Sequence, residues 1–302
     1  MMALASPYRL DRTVSCGQCF RWSVVPADDG VTDRVAARGV VDGAIAVVTQ
    51  HPGGLLVEWP GATGSVPRLL RHLGADEPLA EIERALGEDT VLRRLLPRTS
   101  GIALMRQDPW ECLVSYIISA FNNIPKIVQT IDRLSRRFGE SIAPGAWSFP
   151  RPEALAGARP DALHACLLGY RAPYVRDVAR LVARGAIDLD AIAQRPYEEA
   201  RRALLDLPGV GEKVTECVLL FGLGHREAFP VDVWVQRAVE RWYLRGNSRT
   251  PGAVRAWARD RFGPLAGYAQ QHLFVGARSM ERTHLRVRSV GTGIQRQVLY
   301  NA

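Results

Sequence analysis

Near residue 100 the hydrophobic period of the chain changes, and that change limits the folds open to it. From about residue 20 to 60, short β-prone runs (FRWSVV, RVAARGVV, AIAVVTQ and LLVEWP) are separated by turn residues such as DG and PGG. Runs of this length, bounded by Gly, Pro and Asp, read as the strands of an antiparallel meander. Two short helices are expected at about 66 to 73 and 78 to 95, after which PRTSG marks a join. Beyond it the pattern is helical almost to the end, punctuated by Pro and Gly, without internal repeats or low-complexity tracts. The expected class is α+β, with an antiparallel β domain carrying short helices over residues 1–100 and a mainly helical domain over residues 101–302.

A chain of 302 residues that is 47% hydrophobic and 23% charged has the apolar content for a substantial core, and its length suits about two domains. Its formal charge of +8 favours a polyanionic partner. The longest apolar runs fall far short of a membrane span, and MMALASPYRL has no long apolar stretch followed by a cleavage site. A soluble, intracellular protein is therefore expected. Cysteines 16, 19, 112, 166 and 217 make an odd number in a chain too long to need disulfide staples, so reduced thiols are expected. Cys16 and Cys19 form a C-x-x-C, but no second such pair and no matching His/Cys pair follows, and the four-cysteine array of an iron-sulfur cluster is missing. No metal cluster is expected.

Of 39 basic residues only two are lysines, Lys126 and Lys213, leaving 37 arginines. A lysine that persists against such a bias suits a task that guanidinium cannot perform. Nucleophilic attack is one, because an amine can shed its proton. Lys213 lies in LPGVGEKVTEC, between the helical pattern YEEARRALLD, with Ala200, Leu204 and Leu205 on one side, and EKVTECVLLFGLG, which ends at glycine. The reading is helix, hairpin, helix. Gly209 and Gly211 are expected to let the turn adopt positive φ and to leave its N–H groups bare for a phosphate at the helix N-terminus. Such a grip binds backbone and reads no sequence. A plain αα-turn fits the local pattern as well. In the first turn of the second helix the macrodipole opposes a positive charge on Lys213, a direction that suits a nucleophile. Cys217 stands one turn on, beside an apolar stripe of Val214, Val218 and Phe221. Taken alone, Lys213 is also readable as a solvated lysine or a phosphate contact, and Cys217 as a small core residue.

DPWECLVSYIISAFNN carries strong start signals: Asp108 as cap, Pro109 in the first turn and Glu111 at the capping-box position. Leu113, Ile117 and Phe121 recur at four-residue spacing and are expected on one buried face, with the FNN end emerging polar as a candidate for surface chemistry. In AFPVDVWVQRAVERWY, Pro230 and Asp232 precede an apolar-periodic run, so Asp232 is an expected N-cap. A carboxylate held by helix N–H groups is expected to stay ionised and can stabilise positive charge on a sugar ring or orient an amine.

Six stretches in order, YRLDRTVSCGQCFRW, GIALMRQDPWECLVSYIISAFNNI, LGYRAPYV, LPGVGEKVTECV, FPVDVWV and GYAQQHLF, resemble the 8-oxoguanine DNA glycosylase/AP lyases of the helix-hairpin-helix (HhH-GPD) superfamily. The resemblance implies a bifunctional repair enzyme that excises 8-oxoguanine from duplex DNA through a lysine imine and cuts the strand by β-elimination. Lys213 matches the attacking lysine and Asp232 the aspartate that assists base departure. Cys217 and Phe274 match the residues that sandwich the extruded base. Gly17 matches the glycine whose carbonyl accepts the N7 proton of the lesion, and Gln270 the glutamine that holds its pairing edge. Tyr170 and Arg171 resemble the wedge and gap-filling pair beside the opposite base, and the carbonyls of Leu205, Leu207 and Val210 those that hold a structural cation at the hairpin. No cofactor is implied beyond that cation. The implied partner is double-stranded DNA containing 8-oxoguanine, with no membrane, a monomeric state and a cytoplasmic, DNA-associated location, nuclear in a eukaryote.

Two other classes share parts of this pattern. A monofunctional glycosylase for alkylated bases would share the fold and Asp232 but needs no nucleophilic lysine, and a non-enzymatic helix-hairpin-helix protein would need neither Lys213 nor Asp232. The chain also departs from the family pattern. Phe121, Asn122 and Asn123 stand where an asparagine triplet is usual, and Lys126 where an arginine faces the opposite cytosine. Trp234 and Ala277 replace a phosphate-binding histidine and its acidic partner.

Overall fold

A computed structural model describes residues 2–3, 7–26, 34–61 and 64–291, with side chains considered over 7–26, 34–61 and 64–280. Strand β1 (Met2–Ala3) precedes helix α1 (Leu10–Ser15), which is followed by β2 (Ser23–Val25), β3 (Val35–Val41), β4 (Ala44–His51) and β5 (Gly54–Glu58). The strands form one antiparallel sheet in the order β1-β5-β4-β3-β2. Strands β2 to β5 are the expected meander. The β3–β4 turn is built on Asp42 and Gly43, both at positive φ, where Gly and Asp are tolerated. Neither β1 nor α1 was signalled by periodicity, the first being two residues long and the second only six.

Helices α2 (Val66–His72), α3 (Leu79–Leu86) and α4 (Thr90–Thr99) complete the N-terminal part. The single helix expected over 78 to 95 is two. Gly87 caps α3, and the Asp89 side chain accepts from the Val91 and Leu92 amides at 2.9 and 3.0 Å, starting α4 afresh.

Helix α5 (Pro109–Ser119) and helix α6 (Ile124–Phe138) follow, and then a small hairpin of β6 (Ser141–Ala143) and β7 (Ala146–Trp147) that the helical pattern did not foretell. Its turn passes through Gly145 at φ 77°. The rest is helical: α7 (Pro152–Ala156), α8 (Pro160–Ala165), α9 (Ala172–Ala183), α10 (Leu189–Ala193), α11 (Tyr197–Leu205), α12 (Glu212–Phe221), α13 (Val233–Trp242), α14 (Pro251–Phe262) and α15 (Ala266–Gly291). No helix among the described residues is long and apolar enough to cross a membrane. One apolar cluster runs through both parts, from Leu10 and Val48 through Leu113 and Ile117 to Val218 and Leu273.

Three expectations about α5 need correction. Asp108 caps it, accepting from the Glu111 amide at 2.8 Å, but Glu111 does not reach back to complete a capping box. It pairs instead with Arg21 at 2.9 Å, across to the N-terminal part. The helix is buried all round from Cys112 to Ser119, not along one face. Phe121 lies beyond its end, at φ 49° and 98% exposed, so the four-residue spacing that placed it on the buried face runs past the end of the helix.

Candidate active site

The hairpin forms between α11 and α12 as its sequence suggests. Gly209 takes φ 74°, and a Cβ there would meet Tyr174 at 2.6 Å, so both conformation and space require glycine. Gly211 does not share this property. It caps α12 at φ −96° and ψ −178°, extended backbone open to any residue, and its bare N-terminal position is what leaves the first amides of α12 accessible. Of the three proposed cation-binding carbonyls, that of Leu207 accepts the Val210 amide at 3.2 Å, which uses one of its two lone pairs. No group of three or more His, Cys, Asp or Glu side chains among the described residues is arranged to hold a metal ion.

Lys213 is half-buried in the first turn of α12. Its Nζ donates to Ser119 Oγ at 2.8 Å and stands 5.1 Å from the centre of the Tyr116 ring. Ser119 in turn donates to the Tyr116 carbonyl at 2.7 Å, so the hydroxyl presents only lone pairs to the amine. The last turn of α5 therefore cradles the amine. Ser119 and Tyr116 lie in a quoted stretch of the sequence but had been given no role, because spacing along one helix does not reveal a contact with a residue 94 positions away.

Beneath this amine, Glu216 is almost wholly buried and serves several donors: Tyr197 at 2.7 Å, Arg201 at 3.1 Å and the Phe229 amide at 3.0 Å. Arg201 and Arg255 also bond Glu212, locking α11 and α14 to the start of α12. Such a satisfied network holds the helix bearing Lys213 in one position. Cys217, 3% exposed, has a thiol that burial pushes up to about 12, against the lowering effect of the Lys213 charge. It is neutral at physiological pH and serves as a small apolar surface, not as a second nucleophile.

Asp232 caps α13 as expected, its Oδ1 accepting from the Val235 amide at 2.8 Å. Burial pushes its carboxyl above the usual aspartate range, opposed by the Val235 amide, the Lys213 charge, the Trp234 amide and the Arg278 charge. The net direction is upward. Desolvation of the half-buried side chain therefore outweighs the amides of the cap and the nearby charges.

Of the base-reading candidates, Gly17 and Phe274 are brought side by side. Gly17 adopts φ 93°, and a Cβ on it would approach Ile124 at 3.2 Å, Phe274 at 3.5 Å and Arg278 at 3.6 Å. The loop bearing Gly17 is pinned by the wholly buried Gln18, which bonds Ala103 and Met105 at 2.8 and 2.9 Å while its carbonyl accepts from Tyr116 at 3.0 Å. Cys16 and Cys19 are buried free thiols of this loop, raised by burial, and Cys16 accepts from Gln271 at 3.0 Å. Gln270, on α15, is 5% exposed, and its Oε1 has no partner. A buried acceptor left open is costly unless a ligand fills it.

Around the Phe121 loop, Asn123 caps α6 by accepting from the Lys126 amide at 3.0 Å, and Asn122 donates to the Ile118 carbonyl at 3.1 Å. Lys126 is exposed. Tyr170 is half exposed, and Arg171 is only 8% exposed, its guanidinium bonded to the Ala120 and Phe121 carbonyls. Arg171 thus braces the backbone of the loop from which Phe121 projects. Trp234 and Ala277 are both partly buried.

Both parts of the chain are similar to known proteins. The profile of the HhH-GPD superfamily base excision DNA repair protein matches residues 114–264, and that of the 8-oxoguanine DNA glycosylase N-terminal domain matches residues 3–113. The chain belongs to the 8-oxoguanine DNA glycosylases of the HhH-GPD superfamily. N-glycosylase/DNA lyase OGG1 of Arabidopsis thaliana is 29% identical over 296 residues, covering 92% of this chain and 79% of that protein. Among solved structures, MBOgg1 in complex with a low-affinity DNA ligand is 34% identical with a TM-score of 0.84, covering 91% of this chain and 93% of that one. The Clostridium acetobutylicum 8-oxoguanine glycosylase/lyase, bound to double-stranded DNA with cytosine opposite 8-oxoguanine, is 29% identical with a TM-score of 0.81 and the same coverage.

Proposed function

We propose that this protein is a bifunctional DNA glycosylase/AP lyase that excises 8-oxoguanine from double-stranded DNA, with Lys213 as nucleophile and Asp232 as its carboxylate partner. The observation that carries the reading is the cradled amine of Lys213, held by Ser119 and Tyr116 at the N-terminus of α12, within the electrostatic reach of Asp232. A monofunctional enzyme has no use for an amine so placed.

The target base is stacked within the duplex, so the nucleotide has to be flipped out. Gly209, Gly211 and the first amides of α12 grip the backbone. The Leu205, Leu207 and Val210 carbonyls would hold a cation there, adding positive charge beside the phosphate. The extruded base lies between Cys217 and Phe274, with the Gly17 carbonyl accepting its N7–H and the open Oε1 of Gln270 accepting from its pairing edge. Recognition of one N–H by a fixed acceptor discriminates strongly, because the analogue without it leaves the acceptor unpaired. Lys213 attacks C1′ and the base leaves with the glycosidic electron pair; the resulting N,O-acetal loses its Nζ proton to a base, and cleavage of C1′–O4′, with O4′ taking up a proton, opens the sugar ring and yields the imine. Ionised Asp232 stabilises positive charge on the sugar during departure. Removal of a C2′ proton then expels the 3′ phosphate. Tyr170, Asn122, Asn123 and Lys126 line the strand side of the Phe121 loop and fill or flank the gap, and the enzyme acts as a monomer.

The test is a duplex with a single 8-oxoguanine, incubated without added base. Strand cleavage ending in an unsaturated aldehyde supports the bifunctional reading. Release of base with an intact strand, or preference for an alkylated purine, contradicts it.

A further inference from the structure

Arg278 lies one helical turn after Phe274 on α15, with its guanidinium carbon 5.2 Å from the Phe274 ring centre. Its Nη1 would be 3.6 Å from a Cβ placed on Gly17. The residue is half-buried, and its charge lies over the Phe274 ring and beside Gly17, at the junction of two groups assigned to the base. Its field also reaches Asp232. Neither the resemblance nor the spacing of the sequence assigned it a role. In a chain with 37 arginines the residue type alone says little, and the placement carries the inference.

We propose that Arg278 is a specificity-determining residue whose guanidinium donates a hydrogen bond to the oxygen on C8 of the extruded base. The proposal rests on the assignment of Gly17 and Phe274 to the base pocket. If the Gly17 carbonyl accepts the N7 proton, the C8 oxygen is the neighbouring atom on that same edge. Undamaged guanine has a C–H there and no acceptor, so a cationic donor at this point favours the lesion. The contact strengthens during reaction. As the C1′–N9 bond breaks, its electron pair moves onto the base, and the negative charge spreads over the five-membered ring to the C8 oxygen. A positive charge already fixed there stabilises the departing anion. A guanidinium also suits a phosphate, but a phosphate contact would serve a site with or without its base, which makes the two separable.

The experiment measures single-turnover excision of 8-oxoguanine and, separately, cleavage at a preformed abasic site, for wild type, Arg278→Met and Arg278→Lys. We expect Arg278→Met to slow 8-oxoguanine excision by about a hundredfold, the low end of the range for losing one donor to developing charge. Abasic-site cleavage should stay near the wild-type rate, and Arg278→Lys should recover part of the excision loss. Equal losses on both substrates would overturn the proposal by placing Arg278 on the backbone, and an unchanged excision rate would overturn it outright. Lys213→Gln, run in parallel, separates the layers. If it abolishes both reactions while Arg278→Met affects neither, only this proposal falls; a wild type inactive on both substrates removes the active-site reading beneath it.

Discussion

At Asp232 one carboxylate closes the first turn of α13 and also feels the charges of Lys213 and Arg278. The two roles separate in Asp232→Asn, since asparagine caps a helix about as well as aspartate. We expect the melting temperature of this variant to be nearly that of wild type, while single-turnover excision falls by about a hundredfold or more. The pH dependence follows from the direction of the shift. Burial raises the folded carboxyl, so the ionised form is lost at a higher pH than for an exposed aspartate, and the acid limb of the excision profile should lie above the usual aspartate range. That limb should disappear from what activity Asp232→Asn retains. Full activity in Asp232→Asn, or an unaltered acid limb, would reduce Asp232 to a cap.

At the scale of elements, the junction between α5 and α6 sets how the base left behind is read. Phe121 holds a left-handed conformation that asparagine tolerates better, and its ring meets no protein surface. Stacking accepts any base and is worth about 1–3 kcal/mol in single-strand binders, so an aromatic here should blunt the preference for cytosine opposite the lesion. Phe121→Asn should sharpen that preference and leave stability equal or slightly higher. The check is excision of 8-oxoguanine opposite C, A, G and T: a wild type that favours C by orders of magnitude, unchanged in the variant, would show that Phe121 takes no part. This junction also shows where periodicity stops being informative. Leu113 and Ile117 were legible as core because the helix continues through both, whereas nothing in the spacing marks Ser119 as the last helical residue. Asp108, Asn123 and Asp232 all cap in the structure, of which only Asp108 and Asp232 announce it by position.

Across the whole molecule, the strand meander, the hairpin and the long helical succession were legible because each depends on neighbours in sequence. The contacts that join the parts were not. Gln18 to Ala103 and Met105, Arg21 to Glu111, and Lys213 to Ser119 each link residues at least 85 positions apart. Two histidines, His272 buried and His72 partly buried, belong to the same long-range packing. His72 accepts from the Trp22 indole at 3.0 Å, His272 bonds Thr99 at 2.8 Å, and burial lowers both to about 4. Between that value and the unfolded value near 6.5, the unfolded chain binds more protons, so stability present above pH 6.5 is lost as pH falls toward 4. Each contributes on the order of 3 kcal/mol by this linkage. Urea midpoints measured across that interval should fall for wild type and fall less steeply for His272→Gln. Identical slopes would show that His272 is not held neutral.

The central claim is that one amine does the chemistry, and with only two lysines in the chain it can be tested at a single residue. The measurement is borohydride trapping on a duplex containing 8-oxoguanine, comparing wild type with Lys213→Gln and Lys126→Gln. A covalent protein–DNA adduct in wild type and Lys126→Gln, and none in Lys213→Gln despite retained DNA binding, is the predicted result. An adduct formed by Lys213→Gln at the wild-type rate would contradict it and move the nucleophile to another amine.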